Sequence, residues 1–431
     1  MVDTTILWAD DEIDLLKPHV LFLKEKGYNV TTVTNGNDAV DSFKNNYFDL
    51  VFLDENMPGL TGLETLSEIK NLNNEVPVVL ITKNEEEYLM EDAIGAKIDD
   101  YLIKPVNPKQ VLLTIKKLTE NKRLVTEKTT MAYQQDFRTL GMTLNDNLSH
   151  QEWVDVYKKL IYWELELEKL EDEGMHEILT LQKAEANVQF CKFIEKNYQK
   201  WIQNPDSGPT SSPQLFKKKV LSKLDAKTPV FFILIDNLRF DQFKIINPYI
   251  SEYFRMEEED TYYSILPTAT QYARNAIFSG LMPLEMEKRF PDMWQNDEDE
   301  GGKNLYEEKF LGDQLKRVLR RDVKFSYNKI LNIDEGRALN DSVNNLMNNE
   351  LNVVVYNFVD MLSHARTDMQ MIRELASDDA AYRSLTLSWF EHSPLFDLLK
   401  YLSQKQVKVI ITTDHGTIRV KNPSKIIGDR N

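Results

Sequence analysis

Asp236, Asp360 and the pair Asp414-His415 each close an apolar run, residues 230–235, 353–359 and 407–413. Runs of this length, rich in Val, Ile and Phe, predict strands of a parallel sheet buried on both faces, and groups that follow such strands gather beyond its carboxyl edge. Asp360-Met-Leu-Ser-His364 sets a carboxylate and an imidazole four residues apart, one turn if a helix begins there. Three carboxylates and two imidazoles on one edge would cost on the order of several kcal/mol in repulsion and desolvation, which a divalent cation removes. Asp236, Asp360, His364, Asp414 and His415 offer oxygen and nitrogen but no sulfur, a donor set that suits zinc or manganese.

A nucleophile is offered by Pro267-Thr-Ala-Thr270-Gln-Tyr-Ala-Arg274-Asn275, which continues to Gly280. A proline-led turn opening a helix exposes Thr270 at the helix N-terminus, where backbone N–H groups favour phosphate. A threonine hydroxyl is a poor nucleophile at neutral pH, and direct metal coordination would ionise it. Arg274 and Asn275 would either touch a substrate phosphate or cap the helix face.

A second set lies near the N-terminus. Short strands run into Asp10-Asp11-Glu12, Asp54, Thr82 and Lys104-Pro105, with helix-like stretches such as 14–26 and 62–72 between them. A β-α unit repeated about five times brings all four polar groups to one sheet edge. That set fits a carboxylate that accepts a phosphoryl group. Asp54 would be the nucleophile, with Asp10, Asp11 and Asp54 around Mg²⁺, Lys104 pairing with one phosphoryl oxygen and Thr82 bonding another.

The elements that must position these groups differ along the chain. Residues 120–203 hold only two glycines, Gly141 and Gly174, and no proline, which favours long helices. Ser149-His-Gln-Glu152 reads as a capping box. Trp153, Val156, Leu160, Trp163, Leu167 and Leu170 then form one apolar stripe, and Leu181, Ala184, Val188, Cys191, Tyr198 and Trp201 or Ile202 a second, with Gly174 breaking the two into a hairpin. Cys191 therefore reads as core. Residues 204–213 read as a flexible linker and 297–302 as a solvated acidic loop. His19, His150, His176 and His392 have no partner pattern and read as surface or packing residues.

Composition narrows the function classes. The chain has 431 residues, enough for two or three domains, and its 42% hydrophobic and 28% charged content is ordinary for a globular protein. A net charge of −17 argues against general adhesion to DNA, RNA or anionic membrane. With neither a helix-turn-helix pattern nor a basic stripe, direct DNA binding is not expected. A single cysteine excludes an intrachain disulfide and points to a reducing compartment. Without a signal-peptide pattern or an apolar run near the 18 or so residues of a membrane span, a cytoplasmic protein with no membrane insertion is expected.

The Asp10/Asp11/Asp54/Thr82/Lys104 set resembles the receiver domain of two-component response regulators, over about residues 1–119. The resemblance implies a flavodoxin-like fold, phosphorylation by a sensor histidine kinase, Tyr101 as the aromatic switch residue and a cis Lys104–Pro105 peptide. The alternative is a flavodoxin-like domain whose acidic strand ends are incidental. Residues 226–431, through Ile235-Asp236-Asn-Leu-Arg239, the Pro267–Thr270 turn, Asp360…His364 and Asp414-His415-Gly416, resemble the alkaline-phosphatase superfamily in its PglZ branch. By that resemblance Asp236, Thr270, Asp414 and His415 hold one zinc, Asp360 and His364 a second, and Thr270 is the nucleophile. The superfamily adds a downstream histidine to the second site. No histidine follows His415, so the expectation is that a C-terminal part is absent and that full activity needs it.

The order of receiver (1–119), helical bundle with linker (120–225) and alkaline-phosphatase-like α/β domain (226–431) resembles response regulators associated with type IX secretion in Bacteroidetes. That resemblance implies phosphodiesterase activity on oligonucleotides or nucleotide signals, a phosphorylation-dependent homodimer, and a secretion-system or sigma-factor protein as partner. The other function class is a signalling adaptor whose metal domain is a non-catalytic protein-binding scaffold.

Overall fold

The computed structural model describes residues 4–83, 98–144, 146–170, 173–225, 227–295, 302–418 and 420. Of the acidic stretch 297–302, read above as a solvated loop, residues 297–301 lie outside them. The chain forms two compact units, residues 1–136 and 137–431.

The first unit carries five parallel strands, β1 (Thr5–Ala9), β2 (Asn29–Val33), β3 (Leu50–Asp54), β4 (Val78–Thr82) and β5 (Asp100–Ile103), in the order β2-β1-β3-β4-β5. Side chains alternate between faces, so each strand feeds two cores. Leu7, Ala9, Val51, Leu53, Val78 and Leu80 pack on one face. Ile6, Trp8, Leu50, Phe52, Val79 and Ile81 pack on the other. Helices Lys17–Glu25, Gly36–Asn45, Gly62–Leu72 and Pro108–Ile115 cover them. Each large apolar side chain removed from water contributes about 1.5–3 kcal/mol, so the two-faced pattern holds the register in which every acidic strand end reaches one edge.

The second unit repeats the principle. Strands β6 (Val230–Ile235), β7 (Phe325–Ile330), β8 (Leu351–Tyr356) and β9 (Lys408–Thr412) are parallel in the order β7-β8-β6-β9. Phe231, Ile233, Ile235 and Val354 face one core, and Val230, Phe232, Leu234 and Val353 the other. The run 353–359 is not one strand: β8 ends at Tyr356 and helix Phe358–Asp368 starts two residues later. Asp360 therefore stands in the first turn of that helix, one turn from His364.

The helical segment confirms the capping box, with Ser149 Oγ accepting from Glu152 N and Glu152 reaching back to Ser149 N. It also confirms the first stripe, since Trp153, Val156, Leu160, Trp163, Leu167 and Leu170 are all buried. The second stripe is corrected over its first four residues, while Trp201 at its end packs on Phe193 and Tyr263. Leu181, Ala184, Val188 and Cys191 are exposed, and the inward face of helix Glu173–Gln203 runs through Leu179, Gln182 and Ala186 to Phe190 and Phe193. Both faces of this helix are apolar, and the face whose rings meet Trp153 edge-on and tilted, at centroid distances of 5.4 and 6.0 Å, takes the interior. Gly174 lies inside the helix rather than at its break.

Residues 204–213 are packed rather than flexible. A Cβ on Gly208 would come within 2.6 Å of the Trp201 ring, Tyr263 N donates to Thr210 O at 2.8 Å, and Ser212 is fully buried. Among the described residues no helix is long and apolar enough to cross a membrane.

Candidate active sites

In the first unit, β1 and β3 deliver Asp10 and Asp54 to the sheet edge, both buried, with Asp11 exposed beside them. One carboxylate oxygen from each lies within 4.8 Å of the others, an all-oxygen set that fits a hard cation such as Mg²⁺. Lys104 Nζ sits 2.9 Å from Asp10 Oδ2 and 2.9 Å from Asp54 Oδ1. Burial raises the Asp54 pKa, the Lys104 hydrogen bond opposes this, and Asp10 and Asp11 add to the rise. For Lys104, burial would lower the pKa, but Asp54 and Asp10 outweigh it and the net shift is upward. The nucleophile candidate is thus held by a cation that a phosphoryl group would share. Thr82 Oγ donates to the Glu55 carboxylate, a partner the sequence did not suggest. Tyr101 is half-exposed and the Lys104–Pro105 peptide is cis.

In the second unit, Asp236 leaves β6, Asp414-His415 leaves β9, and Thr270 opens helix Thr270–Ser279, which Gly280 ends at φ 65°. The fold brings these four together. Thr270 Oγ lies 2.8 Å from His415 Nε2 and 3.4 Å from Asp236 Oδ1, and His415 Nε2 lies 3.8 Å from the same oxygen. Asp236, Asp414 and His415 each place a donor atom within 4.8 Å of the others. Asp414 is fully buried, and its Oδ2 has no hydrogen-bond partner. A buried carboxylate oxygen left bare costs stability, and a cation between Asp236, Asp414, His415 and Thr270 would satisfy it. The residues fit zinc.

Charge at the site is balanced from behind. Arg274 Nη1 is 2.5 Å from Asp236 Oδ2, and Arg274 Nε is 2.5 Å from Glu307 Oε1. The Tyr327 hydroxyl donates to the other Glu307 oxygen. Burial pushes the Asp236 carboxyl up to about 8, with Asp414 adding to the rise and Arg274 opposing it. Asp414 is likewise raised by burial, against Arg274. Arg274 thus takes one Asp236 oxygen and leaves the other facing Thr270 and His415.

Arg274 and Asn275 were expected at a substrate phosphate or on the helix face. Both are buried and bonded to protein groups, Asn275 Nδ2 donating to Lys303 O at 3.1 Å. Asp360 and His364 are placed 3.6 Å apart across one helical turn, with His364 mostly exposed. They are joined to the first set by Asn237. Its Nδ2 lies 3.3 Å from Asp360 Oδ1 and its backbone N donates to Asp414 Oδ1 at 3.2 Å. Asn237 adopts φ 62°, a left-handed conformation that asparagine tolerates better than most residues. Glu307, Tyr327 and Asn237 escaped the sequence reading. Asn237 adjoins Asp236, but nothing in the spacing of Glu307 or Tyr327 marks them.

Comparison with known proteins matches three stretches of the chain to family models. Residues 6–116 match the family model of the response regulator receiver domain. Residues 123–202 match that of the PorX response regulator linker domain. The transcriptional regulatory protein ResD of Bacillus subtilis (strain 168) is 31% identical over 116 residues, 27% of this chain and 48% of that protein. The response regulator SaeR of Staphylococcus aureus (strain USA300) is 32% identical over 115 residues, 27% of this chain and 50% of that protein. The chain thus spans about half the length of the curated relatives it matches. Among solved structures, the chemotaxis protein CheY4 of Vibrio cholerae aligns at 24% identity and TM-score 0.26, over 27% of this chain and 99% of that one. A receiver domain protein from Clostridium thermocellum aligns at 28% identity and TM-score 0.27, over 28% and 98%. Residues 215–431, just over half of the chain, match the model described as the BREX system PglZ alkaline phosphatase-like domain. The chain therefore belongs to the PglZ family of alkaline phosphatase-like domains, and a receiver-domain match stands in front of that domain.

Proposed function

We propose that the output domain is a metal-dependent phosphodiesterase in which Thr270 is the attacking group. The observation that carries this is the Thr270 hydroxyl between His415 Nε2 and Asp236 Oδ1, next to the bare Asp414 oxygen. Thr270 Oγ, its proton given up, would form a bond to phosphorus as the P–O bond to one ester group breaks and that group leaves as its alcohol. This gives a threonine-linked phosphodiester that water then hydrolyses to the phosphomonoester and free Thr270. Asp236, Asp414, His415 and Thr270 would hold one zinc, with Asp360 and His364 toward a second, or manganese in their place. The metal would supply Lewis acidity that makes the hydroxyl an oxyanion at neutral pH. Asp236 and His415 orient that hydroxyl, and Arg274 fixes which Asp236 oxygen faces it. Oligonucleotides or nucleotide signals are the substrate class.

The decisive experiment is hydrolysis of bis(p-nitrophenyl) phosphate by the full chain loaded with zinc or manganese. Chelation should remove the activity and zinc should restore it. Asp236→Ala or His415→Ala should lower zinc content together with rate. A metal-loaded chain that cleaves no phosphodiester would overturn the enzyme reading in favour of a signalling adaptor.

Control of this output is assigned to the receiver. A sensor kinase would phosphorylate Asp54 in the presence of Mg²⁺, and the phosphorylated chain would form a homodimer, in the cytoplasm, as part of type IX secretion control. The linker-domain match, whose description names PorX, supports this reading, as do the three domains in their order. Acetyl phosphate with Mg²⁺ should phosphorylate the chain, and Asp54→Asn should block it, read by intact mass. Moving a 1:99 monomer–dimer balance to its inverse takes about 5.5 kcal/mol of differential stabilisation. Size exclusion reads it directly, and an unchanged elution volume at full Asp54 phosphorylation removes the dimer from the proposal.

A further inference from the structure

The two loops that carry Asp236 and Thr270 are each gripped by the helical segment of the same unit. The extended stretch 262–266 leads into the turn that presents Thr270. On one side its alternate side chains hold the end of β9. The Tyr262 hydroxyl donates to Thr413 O at 2.5 Å and lies 3.1 Å from Asp414 O, and Ser264 Oγ donates to Asp414 O at 3.0 Å. On the other side its backbone N–H groups are taken by the segment before β6. Tyr263 N donates to Thr210 O at 2.8 Å, Ile265 N to Ser212 Oγ at 3.1 Å, and Leu266 N to the Tyr198 hydroxyl at 2.7 Å. Tyr198 stands on helix Glu173–Gln203. Leu266 is the last residue before Pro267, where the chain turns toward Thr270.

The second grip runs through charge. Arg239 ends the loop Asp236-Asn-Leu-Arg239, and its Nη2 pairs with Asp241 Oδ2 at 2.6 Å. Arg383, nearly fully buried, reaches the same Asp241 oxygen at 2.8 Å. Its other contacts are two carboxylates of helix His150–Glu168, Glu164 at 3.1 Å and Glu168 at 2.5 Å. Burial would raise the Asp241 pKa, but Arg239 and Arg383 outweigh it and hold it low. A nearly buried guanidinium shared among three carboxylates, the Asp241 one buried with it, ties their positions together.

We propose that the helical segment is the outer wall of the phosphoryl site, with Tyr198 and Arg383 as positioning residues for the Thr270 turn and the Asp236 loop. Tyr198 sets where the attacking oxygen sits, and the Glu164–Arg383–Asp241–Arg239 chain sets where the first carboxylate ligand sits. Any signal that shifts these helices then reaches the site through two contacts. The inference rests on the phosphoryl-site reading above.

The test uses the full chain and two mild variants that keep side-chain shape, Tyr198→Phe and the double variant Glu164→Gln/Glu168→Gln. Tyr162→Phe, an exposed ring on the same segment, is the control. In Tyr198→Phe, hydrogen–deuterium exchange should speed up in peptides covering 262–274 and stay at the parent rate in 150–168. With bis(p-nitrophenyl) phosphate its kcat should fall about tenfold at unchanged KM, as a small displacement of a reacting group does. The double variant should bind zinc about tenfold more weakly by calorimetry, the lower end of what outer-shell partners are worth. The control should match the parent in all three. Parent-like exchange over 262–274 in Tyr198→Phe, or parent zinc affinity in the double variant, overturns the proposal. A parent chain that binds zinc but cleaves no diester defeats the enzymatic reading instead, and the exchange and zinc measurements still decide the positioning claim.

Discussion

Thr270→Ala will hydrolyse phosphodiesters at least about a thousandfold more slowly than the parent, the scale on which enzymes lose rate with their nucleophile, while keeping its fold and most of its zinc. The Thr270 hydroxyl is the only such group that the turn aims between His415 Nε2 and Asp236 Oδ1 among the described residues of this edge. Removing it spares Asp236, Asp414 and His415, the grouping that fits a metal. The backbone is also untouched, since Thr270 occupies an ordinary helix N-terminus where alanine is readily accommodated. Thr270→Ser should retain measurable rate because the hydroxyl survives. Steady-state kinetics at matched zinc content, with zinc measured by plasma emission, separates the two contributions. A Thr270→Ala chain turning over at the parent rate would falsify the covalent route and leave a metal-bound water as attacking group.

Arg274→Met will destabilise the second unit by about 3–5 kcal/mol, the cost of leaving a buried charge without its partner. The guanidinium is 1% exposed and lies between Asp236 and Glu307, each also 1% exposed. Removing it leaves two carboxylates facing each other across an apolar gap, close to a third in Asp414. Methionine fills much of the volume, so the loss reports charge more than a cavity. Urea denaturation followed by tryptophan emission suits the measurement, because Trp153, Trp163, Trp201, Trp294 and Trp389 all lie in residues 137–431. Zinc should restore part of the loss, since a cation on Asp236 takes over some of what Arg274 does. An unchanged midpoint in metal-free buffer would show that the pair contributes nothing to stability. Arg274→Lys should fall between the two, because one ammonium cannot make both directed contacts that the planar guanidinium makes.

Much of this protein was legible in its sequence, for a reason that belongs to parallel sheets. A strand buried on both faces needs a continuous apolar run, and a polar residue that ends the run has only the sheet edge to occupy. Asp10, Asp54, Asp236 and Asp414 are therefore placed by the chain itself, and so are the capping box at Ser149 and the Thr270 turn after its proline. Sequence did not decide which face of a helix goes inside when both are apolar. Helix Glu173–Gln203 turned Phe190 and Phe193 onto Trp153 and left Leu181, Val188 and Cys191 outside, because the partner rings come from another helix. Nor did it decide what Arg274 touches. The guanidinium faces Asp236 because Glu307 and Tyr327, more than thirty and fifty residues away, close round it from behind. Residues 204–213 have the composition of a loose linker and are fixed by hydrogen bonds to 263–265, which only the folded chain brings near. Local periodicity and strand ends determine which groups reach an edge; their pairing, charge and freedom to move are set by neighbours distant in sequence, through the burial those neighbours impose.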